Sequence, residues 1–145
     1  MEKVAEIEVS YRPSLTKNPI IKDASDAYDE FKKFYPLEKI ALQETFMAMY
    51  LNQANRCIGV FELSKGGITG TVVDVRILLS IALKVAATSI ILCHNHPSGN
   101  LKPSSSDIST TKQIKSACKY LDIKLTDHII ISPFCEYSSI MDEVI

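Results

Sequence analysis

Residues 89–93 form a short apolar run, Ser-Ile-Ile-Leu-Cys, that ends directly on His94-Asn95-His96. A run this short and this uniformly apolar, with no alternating polar face, reads as a central strand buried on both sides. A strand of that kind requires neighbours in a sheet and helices packed over the sheet. The rest of the chain has to supply both.

The flanking segments do so. Residues 41–51 alternate, with Leu42, Glu44, Phe46, Ala48 and Tyr50 on one face and Gln43, Thr45, Met47, Met49 and Leu51 on the other, which predicts a strand. Residues 52–55 read as a turn and 57–64 as the next strand. Gly66-Gly67 is a hairpin signal that predicts a returning strand over 68–73. Asp74 is placed to cap a helix running to Ala86, with Val75, Leu78, Leu79, Ala82 and Val85 on one face. Residues 94–103 read as a loop and residues 104–120 as a helix with Ile108, Ile114, Ala117 and Leu121 on its buried stripe. A strand over 123–132 follows, then a turn and a short strand or tail over 133–145. Upstream, Ala5, Ile7 and Val9 alternate with Glu6, Glu8 and Ser10 as in an edge strand that a second copy of the chain can pair with. Residues 12–19 read as an extended arm, and residues 24–34 as a helix ended by Pro36. Strands that first meander and then alternate with helices predict an α+β (α/β) domain with one mixed sheet flanked by helices. The expected organisation is an arm, strand and helix over 1–35 and a globular domain over 36–145.

Composition matters mainly for what it excludes. Sixteen Lys and Arg against seventeen Asp and Glu give a net charge of -1, which does not support DNA as a partner on global charge. Cys57, Cys93, Cys118 and Cys135 include no C-x-x-C pair, so neither a zinc ribbon nor a thioredoxin motif is expected. Residues 1–11 carry Glu2, Lys3, Glu6 and Glu8 and hold no apolar h-region, so free thiols in the cytoplasm are expected. The most apolar stretch, residues 77–93, has Lys84 in its middle. A charge at mid-bilayer costs roughly 2.5–3.5 kcal/mol, so no membrane span is expected there.

Chemistry concentrates in residues 94–107. Two histidines at i and i+2 on the end of a strand project to the same side and can reach one ion. Pro97, Gly99 and Pro103 shape a loop that brings Asp107 back as a third ligand. Two histidines and one carboxylate leave a fourth tetrahedral position open, the layout of a catalytic rather than a structural zinc site. The same Ser104-x-x-Asp107 also reads as a capping box, and the two readings are compatible. The contiguous His-Asn-His is not the dispersed residue set of an HNH nuclease. Both H-E-x-x-H and the deaminase pair H-x-E with P-C-x-x-C are absent.

The pattern H-x-H-P, six residues, S-x-x-D resembles the JAMM motif of the JAB/MPN metalloprotease superfamily position for position. His94 to Asn100, Pro103-Ser104, Asp107-Ile108 and Asp127 to Ile130 look like its RadC branch, and Ser64-Lys65-Gly66-Gly67, Thr71 and Arg76 fit that branch as well. The resemblance covers residues 36–139. It implies a JAB/MPN metalloprotease-like sheet with cytidine-deaminase-like layering. It also implies zinc held by His94, His96 and Asp107, Ser104 as an oxyanion-stabilising hydroxyl, and a glutamate on an early strand as general base. Glu44 is the first choice for that base, with Glu62 as fallback. His128 is read as structural or as a partner behind the ligands, Arg76 as a substrate contact or a solvated charge, and Cys93 as packing. Asn95 stands where deubiquitinating members carry Ser or Thr. Residues 1–35 hold no G-x-G, so the helix-hairpin-helix region usual in RadC proteins is not expected in them.

The function so implied is zinc-dependent hydrolysis of a peptide or isopeptide amide, with a peptide or protein as substrate. The alternatives are a DNA-repair or DNA-processing accessory role and a non-catalytic MPN-type scaffold.

Overall fold

The computed structural model describes residues 3–13, 17–68, 70–141 and 144. It contains one five-stranded sheet in the order β2-β1-β3-β4-β5, with β1 Thr45–Leu51, β2 Cys57–Lys65, β3 Ser89–Asn95, β4 Lys124–Ile131 and β5 Tyr137–Ser139. β1 pairs antiparallel with both β2 and β3, β3 pairs parallel with β4, and β4 pairs antiparallel with β5. The parallel pair needs a crossover, which α3 (Ser105–Tyr120) supplies. The sheet is therefore mixed and the architecture α+β, as the residue pattern predicts.

All seven residues of β1 and all seven of β3 are buried, because helices cover both faces. On one face Met47, Met49, Leu51, Ile91, Cys93, Ile129 and Ile131 pack with Ala27 and Phe31 of α1 (Ala24–Phe31) and with Tyr35. On the other, Phe46, Ala48, Tyr50, Ile90 and Leu92 pack with Leu78 and Ala82 of α2 (Val75–Lys84) and with Ile114 and Cys118 of α3. Each large apolar side chain fully buried in these layers contributes about 1.5–3 kcal/mol. The helix starts follow their sequence signals. Asp23 accepts from the Asp26 N–H, and Asp74 from those of Arg76 and Ile77.

Five local expectations differ. Residues 5–10 form no strand; Ile7 and Val9 are exposed, since alternation creates a strand only where a neighbouring edge accepts its hydrogen bonds. The described residues of 68–73 are also outside any strand, and Thr69 lies outside the described residues. Instead of opening a new strand, Gly66 and Gly67 close back on Glu44: Gly66 N–H donates to the Glu44 carbonyl at 2.9 Å and Glu44 N–H to the Gly67 carbonyl at 3.0 Å. A Cβ at Gly66 would overlap the Gly70 carbonyl, so this closure needs glycine. The first strand begins at Thr45 rather than 41, because residues 37–42 form a turn. β3 runs on to Asn95, so His94 is a strand residue and not part of the following loop. The helix expected over 24–34 tightens into a 3₁₀ turn at Lys32–Phe34.

Candidate metal centre

The site forms where the end of β3, the approach to β1 and the first turn of α3 meet. In β3, Ile90, Leu92 and His94 share a face by period two. His94 pairs in register with Phe46, and the two rings stack with centroids 5.7 Å apart. Glu44 precedes β1 on that same face, and α3 brings Asp107 in from above.

The ligand atoms of Glu44, His94, His96 and Asp107 all lie within 4.8 Å of one another. The two Nε2 atoms of His94 and His96 are 3.0 Å apart. Asp107 Oδ2 lies 3.1 Å from His96 Nε2 and Asp107 Oδ1 3.3 Å from His94 Nε2. Glu44 Oε1 stands back at 3.7 and 3.9 Å from the same two nitrogens. His94 is 1% exposed and Glu44 6%, while His96 and Asp107 are partly open to a cavity of about 600 Å³. Ala41, Phe46, Ile68 and Val73 form the apolar wall of that cavity; Ser98, Asn100, Lys102 and Ser104 form its polar wall.

The proton positions follow from the partners. His96 Nδ1 is 2.6 Å from the Asn100 carbonyl, which only accepts, so Nδ1 carries the hydrogen and Nε2 offers a lone pair to the cluster. Two imidazole lone pairs and two carboxylates turned on one point fit a divalent cation. Burial opposes the charge on Asp107, but the adjacent imidazoles of His94 and His96 outweigh it and hold its carboxyl well below the usual range. Burial also opposes charge on His96, yet the bonds that the protonated ring, with hydrogens on both nitrogens, makes to Asp107 and the Asn100 carbonyl raise its pKa. For Glu44, burial dominates and raises the carboxyl.

The capping box and the cluster share one residue. Ser104 N–H donates to Asp107 Oδ2 at 2.9 Å while Ser104 Oγ accepts from the Asp107 N–H at 3.0 Å. The cap therefore fixes the carboxylate that faces the histidines, and it leaves the Ser104 O–H as a donor at the cavity wall. Glu62 is not brought here: it lies on β2 opposite Met47, on the other face, and pairs with Lys65 at 3.6 Å. Arg76 is exposed at the start of α2 and is not among the residues lining the cavity. Cys93 lies in the opposite core layer.

Two residues act in ways the sequence pattern does not announce. Asn95 Nδ2 donates to the Ile40 and Gln43 carbonyls at 2.8 and 2.9 Å, and its Oδ1 accepts from the Thr45 N–H at 2.7 Å. The amide thus ties down the segment that carries Glu44. Thr111 is fully buried on α3, where the apolar stripe predicts Ile108. The signal for both was a polar side chain at a buried register position, which calls for hydrogen-bond partners.

Fold and site together define an α+β domain whose mixed sheet presents a His-His-carboxylate group, with a second carboxylate beside it, at the end of a buried strand. The chain belongs to the RadC-like JAB domain family, whose model matches residues 21–145. It is 42% identical over 140 residues to a UPF0758 protein of Flavobacterium johnsoniae, covering 97% of this chain and 61% of that one. A UPF0758 protein of Porphyromonas gingivalis is 34% identical over 140 residues, with 97% and 62% covered. One of Streptococcus agalactiae is 44% identical over 96 residues, with 66% and 42% covered. The chain thus spans about three-fifths of the length of the first two relatives. No helix among the described residues is long and apolar enough to cross a membrane.

Proposed function

We propose that this domain is a zinc-dependent hydrolase of the JAMM type, acting on a peptide or isopeptide amide. The observation that carries the reading is the convergence of His94, His96 and Asp107 with Glu44 at one wall of an open cavity. Imidazole and carboxylate donors in this number suit zinc. Zinc held by His94, His96 and Asp107 supplies Lewis acidity toward a carbonyl oxygen and makes water a better nucleophile at neutral pH.

The chain's own residues do the rest. Glu44 stands slightly behind the ligand atoms, and its raised pKa suits it to take a proton from water and return it to the leaving amine nitrogen. Ser104 donates its O–H to the carbonyl oxygen as negative charge develops there. The apolar wall of Ala41, Phe46, Ile68 and Val73 shields the amide from solvent. The thiols Cys57, Cys93, Cys118 and Cys135 are free, which suits work in the cytoplasm.

Elemental analysis of protein prepared without chelator tests the reading beside Asp107→Ala. About one zinc per chain, lost in the variant, is expected for a site of this kind, followed by amide cleavage in a peptide and isopeptide screen. No zinc in the wild type even after its addition overturns the reading.

A further inference from the structure

We propose that Thr111 and His128 are positioning residues that lock His94 in the tautomer with its proton on Nδ1, so that Nε2 meets a divalent metal as a lone pair. The inference rests on the metal-site reading above but concerns side chains behind the site.

The chain of donors starts at Thr111, one turn beyond Asp107 on α3. Its hydroxyl has a single hydrogen, and Oγ1 lies 2.6 Å from the Asp107 carbonyl, which can only accept. That contact takes the hydrogen. Oγ1 is also 2.6 Å from His128 Nδ1, so there it must accept, and His128 carries its proton on Nδ1. His128 is fully buried and stays neutral, which leaves its Nε2 a lone pair. That Nε2 is 2.8 Å from His94 Nδ1, so His94 donates from Nδ1 and its Nε2 is bare. The opposite direction would set the Thr111 oxygen lone pair against the Asp107 carbonyl at 2.6 Å. It would also aim an N–H of His94 at the point where the four ligand atoms converge.

The relay joins three elements: α3, β4 and β3. Its first acceptor is the main-chain carbonyl of Asp107, whose side chain faces both histidines. One hydroxyl therefore couples the carboxylate on the helix to the imidazole on the strand. The relay is separate from the one holding His96, which runs to the Asn100 carbonyl. Partners of this kind behind a ligand typically change metal affinity by about 10–100-fold when removed.

Nitrogen NMR of the imidazole rings in metal-free protein at mildly alkaline pH is the direct test. The wild type should show His94 protonated at Nδ1 and bare at Nε2, and Thr111→Ser, which keeps the hydroxyl, should match it. Thr111→Val has the same shape but no hydroxyl; it should lose the single tautomer and bind Zn2+, measured by competition with a chelator, about 10–100-fold more weakly. A wild-type His94 protonated at Nε2 overturns the inference, as does a Thr111→Val protein that keeps both tautomer and affinity. Should Thr111→Val fail to fold, the wild-type spectrum still decides. Failure of the wild type to take up zinc, with the tautomer as stated, would overturn the zinc reading and not the lock.

Discussion

Asn95 follows His94 in β3, yet its side chain closes on the N–H of Thr45, 2.7 Å away, from the opposite face of the sheet. Tyr35 donates its O–H to the Thr45 carbonyl at 2.9 Å from that same face. Both main-chain groups of the first β1 residue are therefore held by side chains, and Glu44 is the residue immediately before it. The distance between Glu44 and the histidines depends on this clamp. Serine at 95 supplies one hydroxyl in place of an amide with three bonds. Asn95→Ser should lower unfolding stability by at least about 2 kcal/mol, since each buried polar group left unsatisfied costs about 1–3 kcal/mol. Urea unfolding checks this. A loss below about 0.5 kcal/mol, the range of ordinary surface changes, would show that the clamp is not needed.

Glu44→Gln should abolish amide hydrolysis while leaving zinc bound. Its nearest carboxylate oxygen stands 3.7 and 3.9 Å from the histidine nitrogens, farther than either oxygen of Asp107. The amide keeps the shape and removes the proton acceptor. Zinc content and turnover measured on one preparation separate the two roles. Full activity in the variant would remove Glu44 as the base, and lost zinc would make it a ligand.

The pattern of residues carries the cluster further than it carries the fold's details. Spacing alone brings His94, His96 and Asp107 together, because strand period two and a capped helix start are local properties. Glu44 depends on a turn that closes through Gly66 and Gly67, a contact between segments about twenty residues apart, and alternation carried on to residue 41 missed that turn. The strand expected over 5–10 failed for a related reason. Pairing is a property of two segments, and no edge meets this one among the described residues. Thr111 was hidden because a helical stripe is read from apolar residues, whereas here a buried hydroxyl takes an apolar position and meets its partners there.

Ser104→Ala should leave zinc in place and slow turnover. Removing an oxyanion donor costs about 2.7–4 kcal/mol in the transition state. The change also removes the N-cap of α3, worth about 1 kcal/mol of stability. Thermal unfolding and kinetics on zinc-loaded protein distinguish the two losses. A variant destabilised but fully active would reduce Ser104 to a cap.

Gly99 has φ of +85° in the loop between His96 and Ser104, and a Cβ there would meet the Phe134 ring at 2.5 Å. Gly99→Ala therefore meets two separate obstacles, backbone strain of about 1–2 kcal/mol and a clash with the ring. Stability should fall, and zinc affinity with it, because the same loop carries the Asn100 carbonyl that orients His96. Adding Phe134→Ala should recover the part due to the clash and leave the part due to φ. Full recovery, or none, in the double variant would contradict the division.

Metal-free protein should lose stability as pH falls below about 6.5, the ordinary value for histidine. Burial is the main cause that drives the pKa of His128 far below that value, with the His94 charge adding to it. The folded state keeps His128 neutral while the unfolded chain takes up a proton, so the stabilisation is complete above pH 6.5 and shrinks below it. The slope from this residue approaches about 1.4 kcal/mol per pH unit. His96 acts in the opposite sense, because its pKa is raised. Its contribution is complete below pH 6.5 and is lost as pH rises through the folded value, so it does not mask the acid slope. Asp107, with its lowered pKa, adds a further loss only once pH falls through the ordinary carboxylate value near 3.8. Between these two limits Glu44, whose carboxyl is raised by burial, gains stability as pH falls and opposes the slope, so the difference between wild type and a His128 variant in urea unfolding isolates His128. His128→Asn should be less stable at neutral pH yet flatter with pH, and an unchanged slope in that variant would assign the acid sensitivity to another group.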